Sequence, residues 1–221
     1  MLISLRAEAS LFDPPLREGN SLLLDLSVDN RDPDFLGAHN CASLERYIFG
    51  RIEAAGAQYG WGGYGEVRPF YQRFNHFGSA SAERNHHLGI DIWAPAFTPV
   101  YCPLPGKVHS CAYNRALGDY GGTLVVEHRS STGPFYSLYG HLSKASALDW
   151  KTGDFMVAGQ KVAELGPEAE NVGWPPHLHF QLIHRLENFW GDYPGVVAAS
   201  SRNAYLANCP DPRPFLDLPV V

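Results

Sequence analysis

The stretch Gly173-Trp-Pro-Pro-His-Leu-His-Phe-Gln-Leu-Ile183 decides the fold. From Pro176 onward polar and apolar residues alternate, His177, His179 and Gln181 against Leu178, Phe180 and Leu182. A period of two marks a strand with one buried face. Residues two apart in a strand share a face, so the two imidazoles project together while Leu178 and Phe180 enter the core. Aligned histidines of this kind are either solvent-facing and idle or part of a larger constellation. The rest of the chain decides between the two.

Arg84-Asn-His-His-Leu-Gly-Ile-Asp-Ile92 is the second centre. In an extended chain His87, Gly89 and Asp91 share a face, and the glycine leaves space between the two polar side chains. A helix would also align positions four apart, but Gly89 and the flanking β-branched residues disfavour it. Alone, such a pair is an ordinary hydrogen-bonded contact.

From Pro95 the chain reads as short strands separated by Gly or Pro turns: Thr98–Cys102, Gly106–Cys111, Gly122–His128, Phe135–Tyr139 and Gly159–Gly166. The fourth leads into Tyr139-Gly-His-Leu-Ser143, which puts His141 at a strand end. Upstream, Ser21–Ser27 reads as a short buried strand and Val28–Asp34 as a polar loop. A helix over about 41–55 follows, with Asn40 as N-cap, Leu44, Ile48, Ile52 and Ala55 on one face, and Gly56 as its stop. Tyr59–Gly65 is so rich in glycine that it reads as an ordered loop; no Lys-Ser/Thr follows to suggest phosphate binding. The tail from Asn188 is aromatic and Pro-rich, with a short helix around Ala198–Leu206. These readings divide the chain into an N-terminal α/β extension (1–66), a mainly β domain (67–187) and a C-terminal wrap (188–221).

The composition agrees with a turn-rich β protein: 221 residues, 22 of them Gly and 17 Pro, are enough for a single filled core with decoration. A formal net charge of -6 without a basic cluster speaks against nucleic acid as a partner. No apolar run approaches the roughly 20 residues of a membrane span. The first residues lack the pattern of a signal peptide, so the expectation is a cytoplasmic protein. Its four cysteines then read as small buried thiols, with a Cys102–Cys111 bridge as the alternative.

Catalytic zinc takes three protein ligands and keeps one position for water. His87, Asp91 and one of the His177/His179 pair would leave a net charge near +1, suited to acidifying water and polarising a carbonyl. The other histidine of the pair, with His141, would flank the open position as a proton acceptor or oxyanion donor.

His87-x-x-x-Asp91, Tyr139-Gly-His141-Leu-Ser143 and His177-Leu-His179-Phe, in this order, resemble the lysostaphin-type zinc metallopeptidases, which include many peptidoglycan endopeptidases. Pro99-Val, Gly106-Lys-Val and Gly159-Gln-Lys-Val reinforce the likeness, which covers about residues 85 to 184. The resemblance implies an antiparallel β core with the cleft across one sheet. It implies one zinc ion per chain held by His87, Asp91 and His179, with His141 and His177 as the catalytic histidines.

Two features depart from that family. Trp174-Pro-Pro176 stands where Thr/Ser-Gly is usual, and Gln181 where a Glu is usual. Gly62-Gly-Tyr-Gly-Glu-Val-Arg-Pro69 and Cys209-Pro-Asp-Pro, with the Trp-Pro-Pro stretch, look like the peptidase-like module fused to class III aminotransferases. The expected function is hydrolysis of a peptide or amide bond, the substrate soluble rather than polymeric wall. The competing reading is a non-catalytic zinc-binding or partner-binding module on the same scaffold. A cupin-type site would need a carboxylate soon after His-x-His, and Glu187 lies too far along. His76, His86, His109, His128 and His184 are expected to be bystanders.

Overall fold

The computed structural model describes residues 5–70 and 84–219. The protein is mainly β and its strand pairs are almost all antiparallel. In chain order the elements are β1 (Ser21–Leu23), α1 (Pro33–Leu36), α2 (Cys41–Ala54), β2 (Tyr59–Gly62), β3 (Arg84–His87), β4 (Ile90–Trp93), β5 (Pro99–Tyr101) and β6 (Gly106–Asn114). There follow β7 (Gly121–Ser130), β8 (Gly133–Leu142), α3 (Lys144–Leu148), β9 (Phe155–Met156), β10 (Lys161–Glu164), β11 (His177–Ile183), β12 (Val196–Ala198), α4 (Arg202–Asn208) and α5 (Arg213–Leu216). Eight strands form one sheet in the order β1-β2-β4-β11-β8-β7-β6-β9, with β1–β2 the parallel pair within it. Two small sheets, β10-β5 and β12-β3, flank it.

The His-x-His strand lies at the centre of this sheet. β11 pairs with β4 on one side, His177 opposite Trp93 and His179 opposite Asp91, and with β8 on the other, His179 opposite Gly140. One departure from the sequence reading matters most: every residue of β11 is buried, on both faces. Leu178, Phe180 and Leu182 enter the main core with Tyr139, Leu124 and Phe215. The polar face is covered as well, because the N-terminal segment and the residues before β12 fold over it.

Several local expectations also change. Tyr59–Gly62 is a buried strand rather than a loop, paired with β4. The glycine that suggested a loop permits close packing instead: a Cβ on Gly60 would lie 2.5 Å from Leu24 Cδ1 and 2.8 Å from Ile52 Cδ1. α2 is capped by Asn40 as expected and buries Leu44, Ile48 and Ile52, but Tyr47 joins them while Ala55 is an exposed C-cap. The polar loop before it contains α1, started by Asp32 as N-cap and Pro33 in the first turn. The tail supplies β12 ahead of its helix. His87 and Asp91 do not share one continuous strand, because the chain bends at Leu88–Gly89 between β3 and β4. All four cysteines are free thiols; Cys102 and Cys209 are buried, whereas Cys41 and Cys111 are partly exposed. His76 lies outside the described residues. Among the described residues, no helix is long and apolar enough to cross a membrane.

Gly89 is indispensable to this arrangement. A Cβ there would sit 2.7 Å from His179 Nε2 and 2.7 Å from the Phe180 carbonyl oxygen, the second a backbone atom with little room to yield. Gly89→Ala should therefore cost about 1–3 kcal/mol in urea unfolding, the range for overpacking. Gly50→Ala, on α2 with open space around its Cβ position, should stabilise by about 0.5–1 kcal/mol. Equal effects at the two positions would contradict this packing.

Candidate metal and catalytic site

Five side chains meet on the covered face of β11. Their exposures are 1% for His87, 2% for Asp91, 5% for His141, 5% for His177 and 2% for His179, so the whole group is withdrawn from bulk solvent. They line a cavity of about 290 Å³. His87, at the end of β3, and Asp91 and His179, opposite each other on β4 and β11, form a group of donor atoms able to hold a metal ion. His87 Nε2 lies 2.9 Å from His179 Nδ1 and 3.3 Å from Asp91 Oδ1; His179 Nδ1 is 3.0 Å from the same carboxylate oxygen. An ion about 2.0–2.1 Å from each of three tetrahedral ligands sets them about 3.3 Å apart. The three donors match that triangle closely.

The outer partners settle which lone pairs face inward. His87 Nδ1–H donates to the Gly63 carbonyl at 2.9 Å, which can only accept, so Nε2 carries a lone pair. Gln181 Nε2 donates to the Pro194 carbonyl and to Cys209 Sγ, both at 3.2 Å. Its Oε1 is thereby turned to accept from His179 Nε2–H at 2.9 Å, leaving Nδ1 as a lone pair. Two imidazole lone pairs and a carboxylate oxygen thus face one another with no proton between them. That donor set suits a divalent cation, and zinc in particular by its two imidazoles and one carboxylate.

The same logic applies to the other two histidines. His177 Nδ1–H donates to the Pro175 carbonyl at 2.7 Å. Asn171 Nδ2 donates to the same carbonyl at 3.0 Å, which points Asn171 Oδ1 at His141 Nδ1–H, also 3.0 Å away. Both rings therefore present an Nε2 lone pair. Their centroids are 4.0 Å apart with the rings tilted by 33°, and His177 Nε2 is 3.9 Å from Asp91 Oδ1. Trp93 stacks on His177 and Trp174 meets His141 edge-on. His141 adopts φ 63°, a strained conformation for a non-glycine residue, held by backbone bonds from its N–H to Tyr120 and from Gly166 N–H to its carbonyl.

Electrostatics favour the neutral form of His87, His141 and His177 and the charged form of Asp91. Burial, with Arg68 second, pushes His87 down to about 4, against the opposing pull of Asp91. Burial and the neighbouring His177 hold His141 well below the usual imidazole range, and burial also lowers His177. For Asp91 burial opposes ionisation, but His87 and Arg68 overcome it and hold the carboxyl well below its ordinary range. Of those two, only Arg68 is charged at neutral pH. Its Nη1 pairs with Asp91 Oδ2 and its Nε with Glu66 at 2.8 Å, leaving Oδ1 as the oxygen turned to the histidines.

The structure thus brings together all five residues singled out in the sequence. His86, His109, His128 and His184 do not line the cavity. Sequence reasoning missed the partners that orient the five: Gly63, Arg68 and Asn171, and the purpose of Gln181. Arg68 and Gln181 stood in conspicuous stretches, but nothing in their spacing reveals what they touch.

Comparison with known proteins follows the same segment. Over 98 residues the chain is 33% identical to the uncharacterized lipoprotein YgeR of Escherichia coli (strain K12), an alignment covering 44% of this chain and 34% of that protein. Among solved structures, the catalytic domain of the antimicrobial peptidase lysostaphin from Staphylococcus simulans aligns with a TM-score of 0.46 at 22% identity, over 72% of this chain and 92% of that one. A zinc containing peptidase from Vibrio cholerae aligns with a TM-score of 0.35 at 31% identity, over 49% of this chain and 31% of that one. Residues 85–189, the segment that contains all five side chains, match the family model of Peptidase family M23.

Proposed function

We propose that this chain is a zinc-dependent hydrolase of the M23 peptidase type that cleaves a peptide or amide bond. The observation that carries this reading is the convergence of three lone-pair donors beside two further imidazoles that also present lone pairs. His87, Asp91 and His179 would hold the ion. Zinc bound there supplies Lewis acidity, which acidifies a water and polarises a carbonyl.

The chain's own groups do the rest. His141 and His177 are neutral and present Nε2 as an acceptor, so either can take the proton of an attacking water. Once protonated, that ring becomes a donor, able to hydrogen-bond the developing oxyanion or return the proton to the departing amine. Over the whole reaction the amide C–N bond breaks, hydroxyl adds to the acyl carbon and a proton to the nitrogen. Pro175 and Asn171 hold the two rings in the tautomer this requires. The modest volume of the cavity and the Trp174 wall favour a short soluble peptide or amide over a polymeric one.

Two outcomes are expected. Asp91→Ala and His179→Ala should lose most of their zinc by elemental analysis. His141→Ala and His177→Ala should keep it and stay folded, yet lose roughly two to four orders of magnitude in rate. Unchanged rates in both would instead indicate a binding module without catalysis.

Gln181→Leu removes the acceptor that orients His179, so zinc affinity measured by chelator competition should fall about 10–100-fold. Gln181→Glu, which keeps an acceptor, should recover most of it. An unaltered affinity in Gln181→Leu would show that His179 needs no such partner.

Zinc-loaded protein should cleave short peptides or amides and release little from purified peptidoglycan sacculi. Efficient release of wall fragments, abolished by His177→Ala, would overturn the preference for small substrates.

A further inference from the structure

The cavity is lined by two unlike sets of side chains. One is polar: the five site residues with Arg68, Arg84, Asp119 and Asp192. The other is apolar: Leu44 and Ile48 from α2, Phe70, Trp93, Trp174 and Val196. These six residues belong to a single buried cluster, separate from the main core under the opposite face of the sheet. Three of them, Leu44, Ile48 and Phe70, come from the chain before residue 71, upstream of every metal-binding and catalytic candidate. This side also touches the reacting groups, since Trp93 stacks on His177 with ring centroids 5.9 Å apart and Trp174 lies 6.5 Å from His141.

We propose that this apolar side is a specificity pocket. It seats one leucine- or phenylalanine-sized side chain of a short peptide or amide, next to the bond to be cleaved. The N-terminal helix α2 thereby acts as the selecting wall.

Size and chemistry agree on that occupant. A volume of about 290 Å³ is near the lower end of small-molecule sites and equals the space of about ten waters. A single residue with its side chain fits there. Arg84, Asp119 and Asp192 also line the cavity, and Arg68 lies over the Trp93 ring. Two indoles, a phenyl ring and three aliphatic side chains nonetheless form together a surface on which a charged group would lose water, so burying one against them would be costly. An apolar side chain gains from leaving water and is held against His141 and His177, where the reacting amide must lie. The cleavage chemistry here rests on the hydrolase reading above; the selectivity of binding does not.

The test measures binding and turnover on the same protein. Zinc-loaded protein is titrated calorimetrically with dipeptide hydroxamates, which chelate zinc, carrying leucine, phenylalanine, aspartate, lysine or glycine in either position. Leucine or phenylalanine in one of the positions should bind about ten- to hundred-fold more tightly than the all-glycine parent, the range for burying such a side chain. Aspartate and lysine should bind more weakly than leucine. Leu44→Phe, on the α2 wall, narrows the cavity and should shrink the leucine-to-glycine ratio at least about fivefold. Leu44→Ala enlarges it and should shift preference toward phenylalanine, with melting temperatures confirming that the variants are folded.

A flat or charge-favouring hydroxamate series would overturn the pocket, as would a leucine-to-glycine ratio unmoved in folded variants. If both variants fail to fold, the wild-type series still decides. Parallel assays with the corresponding dipeptide amides separate the two readings. Leucine-selective binding without cleavage retains the pocket and removes the hydrolase. Cleavage indifferent to the side chain retains the hydrolase and removes the pocket.

Discussion

Lone pairs on His87 Nε2, His179 Nδ1 and Asp91 Oδ1 face one another across 2.9–3.3 Å among buried side chains. Without a cation this contact is repulsive, and in a medium less polar than water the repulsion is poorly screened. Everything around it preserves the arrangement rather than relieving it. The Gly63 carbonyl and Gln181 Oε1 occupy the ring protons on the far sides, and Arg68 occupies the other carboxylate oxygen. Gln181 is itself held by Pro194 and Cys209, so the C-terminal wrap reaches the site through two hydrogen bonds in series. A fold stabilised only by its own contacts would gain by turning one ring over. The buried outer partners oppose that flip.

Register does the coarse positioning. β11 stands between β4 and β8, which puts Asp91 directly across from His179 and brings His141, at the end of β8, alongside His177. The bend at Leu88–Gly89 then turns His87 in toward the pair, and the missing side chain of Gly89 leaves room for the His179 ring. Covering the polar face is the work of remote segments. α2 and Phe70 arrive from before residue 71, Pro194–Val196 from after β11, and both line the cavity. β1 and β2 extend the same sheet, so the N-terminal segment joins the site both as sheet edge and as wall.

The parts legible in the sequence were those with a short repeat. His177 and His179 share a face because a strand has period two, and the five side chains recur at spacings that a resemblance could carry. Less legible was anything supplied by backbone or by distant residues. The Gly63 and Pro175 carbonyls choose the tautomers of His87 and His177, and any residue type offers a carbonyl. Gln181 read as a departure from a family pattern until Pro194 and Cys209 were seen to turn its amide. Glycine content also misled at Gly60, which suggested a loop although it marks where α2 presses on a strand. The burial of both faces of β11 was hidden for a related reason: much of its cover comes from α2, Phe70 and Pro194–Val196, which its own pattern does not reveal.

The central claim is that the protein, before any metal binds, already directs these lone pairs inward. Long-range proton–nitrogen correlation spectra of the imidazole rings in zinc-free protein near neutral pH report the tautomers directly. The structure predicts His87, His141 and His177 protonated at Nδ1 and His179 protonated at Nε2. Finding His179 protonated at Nδ1, with a proton placed between it and His87 or Asp91, would contradict the account at its root.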